Sequence, residues 1–182
     1  MKVTACAIPD VLLIEPKVFG DECGFFFESF NQRQFVEIIG RDIDFVQDNH
    51  SRSARNVLRG LHYQIQQPQG KLVRVVQGEV FDVAVDLRAD SPSYLQWHGT
   101  VLSDQNHHLV VIPAGCAHGF QTLADDCELL YLHTADHQPS AEGGVSPCDP
   151  RLAISWPLPV ALLSDRDAAF PPLSGGTPGA RQ

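Results

Sequence analysis

Short apolar runs separated by Gly, Pro, Asp and Ser predict a chain that is built mainly from β-strands. Between positions 81 and 88, Phe, Val, Val and Leu alternate with Asp, Ala, Asp and Arg, the period of a strand with one buried face. An apolar run at 72–76 precedes it, and the Gly-containing connection at 77–79 predicts a hairpin between the two. Further strands are predicted at 11–14, 25–30, 45–49, 109–112 and 129–134. This many short strands indicates an all-β sandwich or barrel.

Helical periodicity is scarce, and the clearest helix is predicted at residues 31–39. Asn31 suits the N-cap position, and Phe35, Ile38 and Ile39 have the spacing of one helical face. Gly40 is placed to end the helix. The sequence therefore predicts an all-β fold with a few short helices.

Length and composition favour one compact domain. The chain has 182 residues, of which 43% are apolar and 19% charged, within the usual range for a single domain. We assign residues 1–173 to this domain. Residues 174–182 are rich in Gly, Pro, Ser and Thr, so we expect a mobile C-terminal tail.

The charge balance and the distribution of apolar residues exclude several classes of function. Thirteen Lys and Arg against 22 Asp and Glu give a net charge of -9, which disfavours nucleic acids and anionic membrane surfaces as partners. No run approaches the about 18 apolar residues of a membrane span, and no basic leader precedes an apolar stretch. The five cysteines are scattered without a C-x-x-C spacing, so neither a disulfide framework nor a zinc ribbon is predicted. These features predict a cytoplasmic protein.

Ionisable residues inside the predicted strands are the best candidates for a functional site. Burying a polar group without a partner costs about 2–7 kcal/mol, so such residues are either satisfied or used. Arg59 and His62 have opposite strand parity, but Gly60 between them allows a β-bulge that turns both toward one cavity. Lys71 begins a strand, and Tyr131 shares one face of its strand with His133. Each residue also has a purely structural explanation, such as a core hydrogen bond or an edge position.

Two histidine patterns in the sequence partly resemble metal sites. His118 lies in IPAGCAHGF, whose P-x-G-x-x-H spacing resembles the second half of the cupin metal signature. That signature also needs an earlier pair of the H-x-H type, and only His62 stands in that region. His133 and His137 have the H-x-x-x-H spacing of a helical zinc site, but a strand and a turn are predicted there. No metal is therefore predicted.

Several segments, in order along residues 1–171, together resemble the dTDP-4-dehydrorhamnose 3,5-epimerase family. They are DVLLIEPKVFGDECGFFFESFNQRQF, VLRGLHYQ, PQGKLVRVVQGEVFDVAVDLR, SPSY, IPAGCAHGF, LLYL, DPRLAISWP and LLSDRDAAFP. The resemblance implies a double-stranded β-helix, the cupin jelly roll, that forms a homodimer and needs no metal or other cofactor. The implied reaction converts dTDP-4-keto-6-deoxy-D-glucose to dTDP-4-keto-L-rhamnose by epimerisation at C3 and C5 through an enolate, in dTDP-L-rhamnose biosynthesis.

The resemblance also implies roles for individual residues. His62 corresponds to the family's base, Tyr131 to its proton donor, and Asp167 to the carboxylate that partners the histidine. The implied substrate-binding residues are Glu28, Gln47, Asp48, Asn49, Arg59, Lys71, His118, His137, Glu142 and Arg166.

Departures from the family pattern leave alternatives open. Cys23 stands where the family has an arginine that contacts the nucleotide, and His137 stands where it has a second active-site tyrosine. Because His137 borders the expected sugar site, a 3-only or 5-only monoepimerase of a related sugar remains an alternative. A metal-dependent cupin oxygenase is less favoured, since only one histidine stands where the metal signature needs a pair. An inactive sugar-nucleotide-binding module is also less favoured, since the sequence retains His62, Tyr131 and Asp167 together.

Overall fold

A computed structural model describes residues 1–40 and 42–173 of the chain, in which strands far outnumber helices. The strands are β1 (Lys2–Ala5), β2 (Leu12–Glu15), β3 (Phe19–Asp21), β4 (Gly24–Phe26), β5 (Gln47–Ser53), β6 (Leu58–Gln64), β7 (Lys71–Gln77), β8 (Glu79–Asp86), β9 (Trp97–Ser103), β10 (Leu109–Ile112), β11 (Cys116–Thr122), β12 (Cys127–His133) and β13 (Glu142–Gly144). The helices are α1 (Gln32–Ile39) and α2 (Asp165–Ala168), with a 3-10 turn at Pro139–Ala141. Neither α-helix is long and apolar enough to cross a membrane.

Two antiparallel sheets pack face to face around the main core. One has the strand order β1-β2-β10-β7-β12-β5, and the other has the order β13-β6-β11-β8-β9. Buried side chains from both sheets meet between them, including Val73, Val80, Val110, Phe120 and Leu129. The predicted all-β class is confirmed.

Helix α1 confirms the prediction made from its capping residues. The Oδ1 of Asn31 accepts a hydrogen bond from the backbone N–H of Gln34 at 3.2 Å, which satisfies one of the free donors at the helix start. Gly40 ends the helix with a φ of 72°, a left-handed conformation that glycine adopts without strain. Phe35 is the buried anchor of this helix.

The predicted hairpin between β7 and β8 is wrong. Strand β7 pairs with β10 and β12, whereas β8 pairs with β9 and β11 in the opposite sheet. The chain turns this corner at Gly78, where φ is 80° and a Cβ atom would lie 2.9 Å from the Sγ of Cys127. A period of two tells which side chains share a face, but it does not identify the neighbouring strand, so the sequence left this pairing undetermined.

Two predicted strand ranges also differ from the structure. The predicted strand at 25–30 ends at Phe26, because β4 only forms a small hairpin with β3. The strand predicted at 45–49 instead begins at Gln47 and runs to Ser53. All seven residues from 47 to 53 are polar, so a search for apolar runs does not find this strand.

The predicted bulge at Gly60 is confirmed by the register between β6 and β11. His62 lies opposite His118, and Arg59 lies opposite Phe120, so three steps along β6 match two steps along β11. Gly60 is also required sterically, because a Cβ atom there would lie 2.7 Å from the Cα of Gly119. The extra residue changes the parity of β6, which turns Arg59 and His62 toward the same side.

A long C-terminal segment crosses the outer face of the smaller sheet and ends beside β6. Ile154 and Trp156 pack there against a buried cluster that includes Val83 and Val85 of β8. Leu162 forms a bridge with Val57, just before α2. The segment thereby carries α2 to the strand that holds His62. The tail predicted at 174–182 lies outside the described residues.

Gln121 of β11 fixes this segment in place. Its fully buried amide accepts a hydrogen bond from the Leu158 N–H and donates one to the Leu158 carbonyl, both at 3.0 Å. We expect Gln121→Leu to lower the free energy of unfolding by about 1–3 kcal/mol, because it leaves the half-buried N–H and carbonyl of Leu158 without their partner. Urea denaturation measures this change. The exposed Gln105→Leu is the matched control, with an expected change within about 0.5 kcal/mol, and a similarly small change for Gln121→Leu would contradict the prediction.

Candidate active site

An open cavity of about 270 Å³ lies between the two sheets, and both sheets contribute side chains to it. Most of the predicted site residues line it, namely Asn49, Arg59, His62, Lys71, His118, Tyr131, His137, Glu142 and Arg166. Strand β6 supplies its residues from one sheet, whereas β7 and β12 supply theirs from the other. The fold therefore brings together residues that are distant in sequence.

His62 and Asp167 form a hydrogen-bonded pair at one wall of the cavity. The Nε2 of His62 lies 2.7 Å from the Oδ1 of Asp167, a side chain that is only 2% exposed. The other carboxylate oxygen accepts a hydrogen bond from the Gly60 N–H at 3.2 Å. Burial alone would raise the pKa of Asp167, but the hydrogen bond and charge of His62, the Gly60 N–H and Arg166 together lower it below its ordinary value. Asp167 is thus an ionised carboxylate at neutral pH.

Phe170 supports the ring of His62, and the sequence analysis did not identify it. The two rings meet edge to face, with centroids 5.6 Å apart and an interplanar angle of 74°. The phenyl ring fits against Gly144, where a Cβ atom would lie 2.2 Å from the ring. A phenylalanine three residues after Asp167 is a visible signal, but only the structure shows that it reaches His62.

A second His–Asp pair lies deeper in the same cavity. The Nε2 of His118 is 2.7 Å from the Oδ2 of Asp82, and both side chains are buried. Burial lowers the pKa of His118, and the nearby charges of Lys71 and His62 lower it further against the opposing effect of Asp82. His118 is therefore held toward its neutral form.

Asp82 is a site residue that the sequence analysis missed. Its alternation with Phe81 and Val83 predicted a solvent-facing carboxylate, yet β8 is buried on both faces. Phe81 and Val83 pack under the C-terminal segment, and Asp82 faces inward at 1% exposure. The sequence of β8 does not show that a later segment covers the face carrying Phe81 and Val83. Nothing in the local sequence therefore indicates that the opposite face, which carries Asp82, is the inward one.

Lys71 is the buried cation of the cavity. Lys71 is only 8% exposed. Among residues 1–40 and 42–173, no hydrogen bond or ion pair to its ammonium group occurs. Burial lowers its pKa to about 8, although the charges of Asp82, Glu142 and Cys116 oppose this shift. Lys71 is therefore mostly protonated at pH 7, with a donor left for a ligand.

Tyr131 and His133 share the inward face of β12, as predicted. Their rings are 5.3 Å apart at 69°, and Leu132 packs on the opposite face of the sheet. His133 is 4% exposed and its Nδ1 has no partner within the described part of the chain. Burial, with the charges of Lys71, His118 and His137, lowers the pKa of His133 to about 4. This imidazole is neutral under ordinary conditions.

Three further predicted residues lie outside the cavity wall of this chain. Gln47 lies at its border, where it accepts from the His137 N–H at 2.8 Å and donates to Asn49 at 2.9 Å. Asp48 points to the opposite face of β5, because it lies between two inward-facing neighbours. Glu28 accepts hydrogen bonds from Asn31 and Gln34 near the start of α1. The structure therefore does not bring Asp48 or Glu28 to this cavity.

Within the described ranges, no group of three or more His, Cys, Asp or Glu side chains is arranged to hold a metal ion. Two histidines of the cavity each have a separate carboxylate partner: His62 contacts Asp167 and His118 contacts Asp82. What the arrangement offers chemically is a base with a carboxylate partner, a phenol and a buried ammonium around one open space.

Comparisons with known proteins agree with this architecture. The family model described as dTDP-4-dehydrorhamnose 3,5-epimerase matches residues 5–175. The dTDP-4-dehydrorhamnose 3,5-epimerase of Pseudomonas aeruginosa is 60% identical over 168 residues, which cover 92% of this chain and 93% of that protein. The dTDP-4-dehydrorhamnose 3-epimerase of Streptomyces niveus is 42% identical, with 92% of this chain and 81% of that protein covered.

A solved structure shows the same fold. The crystal structure of the dTDP-6-deoxy-D-glucose-3,5-epimerase of Legionella pneumophila, in complex with dTDP-4-keto-L-rhamnose, matches with a TM-score of 0.91 at 48% identity. The match covers 94% of this chain and 92% of that one. These findings confirm the predicted double-stranded β-helix of the cupin type. The chain belongs to the dTDP-4-dehydrorhamnose 3,5-epimerase family.

Proposed function

We propose that this protein epimerises C3 and C5 of dTDP-4-keto-6-deoxy-D-glucose to give dTDP-4-keto-L-rhamnose. One observation carries the proposal: His62 with its carboxylate partner and Tyr131 line the same cavity from opposite sheets, and Lys71 lines it as well. The similarity to relatives named as 3,5-epimerases supports the choice of substrate and of two reacting carbons.

His62 is the proposed base. Both reacting carbons flank the C4 carbonyl, so loss of either proton gives an enolate. An unperturbed imidazole has a pKa of about 6.5 and suits this transfer at neutral pH. When the Nε2–H donates to Asp167 at 2.7 Å, Nδ1 carries the lone pair that takes the proton. The carboxylate then stabilises the imidazolium that forms.

Lys71 is the proposed donor to the enolate oxygen. Negative charge develops on the C4 oxygen as the proton leaves, and a fixed donor in a water-poor site stabilises that charge. The Lys71 ammonium is already buried in the cavity, so the cost of removing its water is met during folding rather than during the reaction. His118, fixed by Asp82 at 2.7 Å, lies beside it as a neutral ring.

Tyr131 is the proposed acid. Inversion requires the returning proton to reach the face of the sugar opposite the face that lost one, so a second residue is needed. A phenol with a pKa of about 10 is protonated at pH 7 and can donate to a basic enolate carbon. Its place on β12, across the cavity from β6, supports this role.

The charged groups at the cavity suit the diphosphate of a nucleotide sugar. Arg59 is held by a hydrogen bond of 2.8 Å from its Nε to the Oγ of Ser53, and Arg166 lies at the exposed side with 54% of its side chain accessible. Guanidinium groups bind phosphate oxygens in pairs. These cations explain how a protein with a net charge of -9 can bind an anionic substrate. Asn49, His137 and Glu142 are proposed to contact the sugar nucleotide at the same rim.

The protein is proposed to act as a homodimer. The β3–β4 hairpin exposes 55% of Phe19, 64% of Phe25 and 71% of Phe26, and β5 forms an edge of the larger sheet. Exposed apolar side chains and an open strand edge are both stabilised by pairing with a second copy. Glu28 follows this hairpin, so its proposed substrate contact would be made in the partner's cavity. The five free cysteines support the cytoplasm as the compartment.

Incubation with dTDP-4-keto-6-deoxy-D-glucose in deuterated water tests the base. Proton NMR should show deuterium entering both C3 and C5. His62→Ala and Asp167→Asn should each slow exchange at both carbons by about 10²- to 10⁴-fold, since the first removes the base and the second its orienting partner. Exchange at one carbon only would show that the protein is a monoepimerase, like the 3-epimerase of Streptomyces niveus to which it is similar. Unimpaired exchange in His62→Ala would exclude His62 as the base.

Tyr131→Phe should separate proton removal from inversion. We expect net formation of the epimerised product to fall by about 10²-fold or more, while deuterium still enters the substrate because His62 remains. NMR of substrate and product in the same sample gives both rates. Tyr63→Phe, next to His62 on β6, is the matched control and should leave the ratio of the two rates unchanged. Equal losses of both rates in Tyr131→Phe would contradict its assignment as the acid.

The pH dependence of kcat/KM should report the protonation of Lys71 in the free protein. Its pKa of about 8 means that the ammonium loses its proton as the pH rises through this value, so the rate should fall on the alkaline side. Lys71→Arg keeps a positive charge across this range and should move the alkaline decline to higher pH, even if the maximum rate is lower. An alkaline decline at the same pH in both proteins would exclude Lys71 as its source.

A further inference from the structure

The Nε2 atom of His62 has two close partners that require opposite protonation states. It lies 2.7 Å from the Oδ1 of Asp167 and 3.0 Å from the Nη2 of Arg166. In the plane of the ring, a nitrogen carries either one proton or one lone pair. Nε2 therefore donates to Asp167 or accepts from Arg166, but it cannot do both in the same molecule.

The two states differ in their ability to take a proton from a substrate. With the proton on Nε2, the ring donates to Asp167 and Nδ1 has a free lone pair. With Nε2 accepting from Arg166, the neutral ring carries its proton on Nδ1, so no lone pair remains for a carbon acid. Only the first state leaves a ring nitrogen free to act as a base.

Arg166 is held next to His62 by contacts at the surface of the site. Its Nη1 donates to the Oε2 of Glu142 at 2.8 Å, and its Nε lies 3.5 Å from the Oδ1 of Asp167. The guanidinium is 54% exposed and the Glu142 side chain 22% exposed. An ion pair this exposed contributes little to stability, so a stronger anion can draw the guanidinium away. A diphosphate, with several charged oxygens, is such an anion.

We propose that Arg166 is a positioning residue that sets the tautomer of His62, and that a diphosphate bound at the cavity mouth releases this control. In the free protein, Arg166 keeps part of the population in the Nδ1–H form. When the diphosphate takes the guanidinium, Nε2–H donates to Asp167 and Nδ1 becomes the base. The inference rests on the proposed function, because the substrate supplies the diphosphate.

The change conserves protons and charge. The Nδ1–H bond breaks and its proton passes to solvent water, and water returns a proton to Nε2. Departure of Arg166 also removes a cation that would oppose formation of the imidazolium. Binding energy from the diphosphate of the substrate thereby helps the reaction at the sugar. Contacts remote from the reacting atoms raise a rate constant in this way.

Nitrogen-15 NMR of protein labelled at its histidine rings tests this proposal, with inorganic pyrophosphate as the probe. The His62 signals are assigned by their loss in His62→Asn. We expect pyrophosphate to raise the ratio of Nε2–H to Nδ1–H at His62 by about tenfold or more, the effect of losing one hydrogen bond to a charged group. Arg166→Leu should raise this ratio equally without any anion, and pyrophosphate should then add nothing.

Two controls separate this effect from general salt or charge effects. Arg52→Leu removes an exposed arginine that pairs with Asp126 instead of His62, and it should respond to pyrophosphate as the wild type does. Sodium chloride at matched ionic strength should not reproduce the change. His118, bonded to Asp82 in the same cavity, should keep its tautomer throughout.

The proposal is overturned if His62 is already fully in the Nε2–H form in the free protein, or if Arg166→Leu leaves the ratio unchanged. If Arg166→Leu changes the ratio but pyrophosphate does not, the proposal that a bound diphosphate draws Arg166 away from His62 is overturned. Because the spectra need no turnover, absence of epimerase activity would refute the proposed function without affecting this readout.

Discussion

The contact between Asp167 and His62 is the interaction on which the proposed chemistry depends. The two residues are 105 positions apart, and they meet only because the C-terminal segment is fixed across the smaller sheet. The Gly60 bulge turns His62 inward and its N–H binds the same carboxylate. Since the native pKa of Asp167 lies below its ordinary value, the hydrogen bonds to its ionised carboxylate stabilise the fold at neutral pH. That contribution is lost as the pH falls through the native pKa of the carboxylate.

Burial divides the basic residues of the cavity into neutral and charged groups. His118 and His133 are held toward the neutral form because charging them would require a buried cation beside another one. Lys71 is mostly protonated at neutral pH although it is buried, since carboxylates nearby offset part of the burial cost. The positive charge is thus concentrated at Lys71 in the interior and at two arginines at the rim, which matches a ketone at one end of a ligand and a diphosphate at the other.

Local signals in the sequence predicted local structure well. The caps of α1, the bulge at Gly60 and the shared face of Tyr131 and His133 all follow from short-range geometry. The partners of β7 and β8 did not follow, because strand pairing is decided by packing among distant segments. The inward position of Asp82 was not predicted for the same reason. The gathering of the cavity residues was anticipated through family resemblance, whereas their positions relative to Arg166 needed coordinates.

A double-mutant cycle on His62 and Asp167 tests the central claim most directly. The rates of deuterium exchange at C3 and C5 are compared for the wild type, His62→Ala, Asp167→Asn and the double variant. If the carboxylate acts only through the imidazole, the double variant should be no slower than His62→Ala alone, since residues that act as a unit are not additive. Losses that multiply in the double variant would show that the two side chains act independently, and would contradict the account.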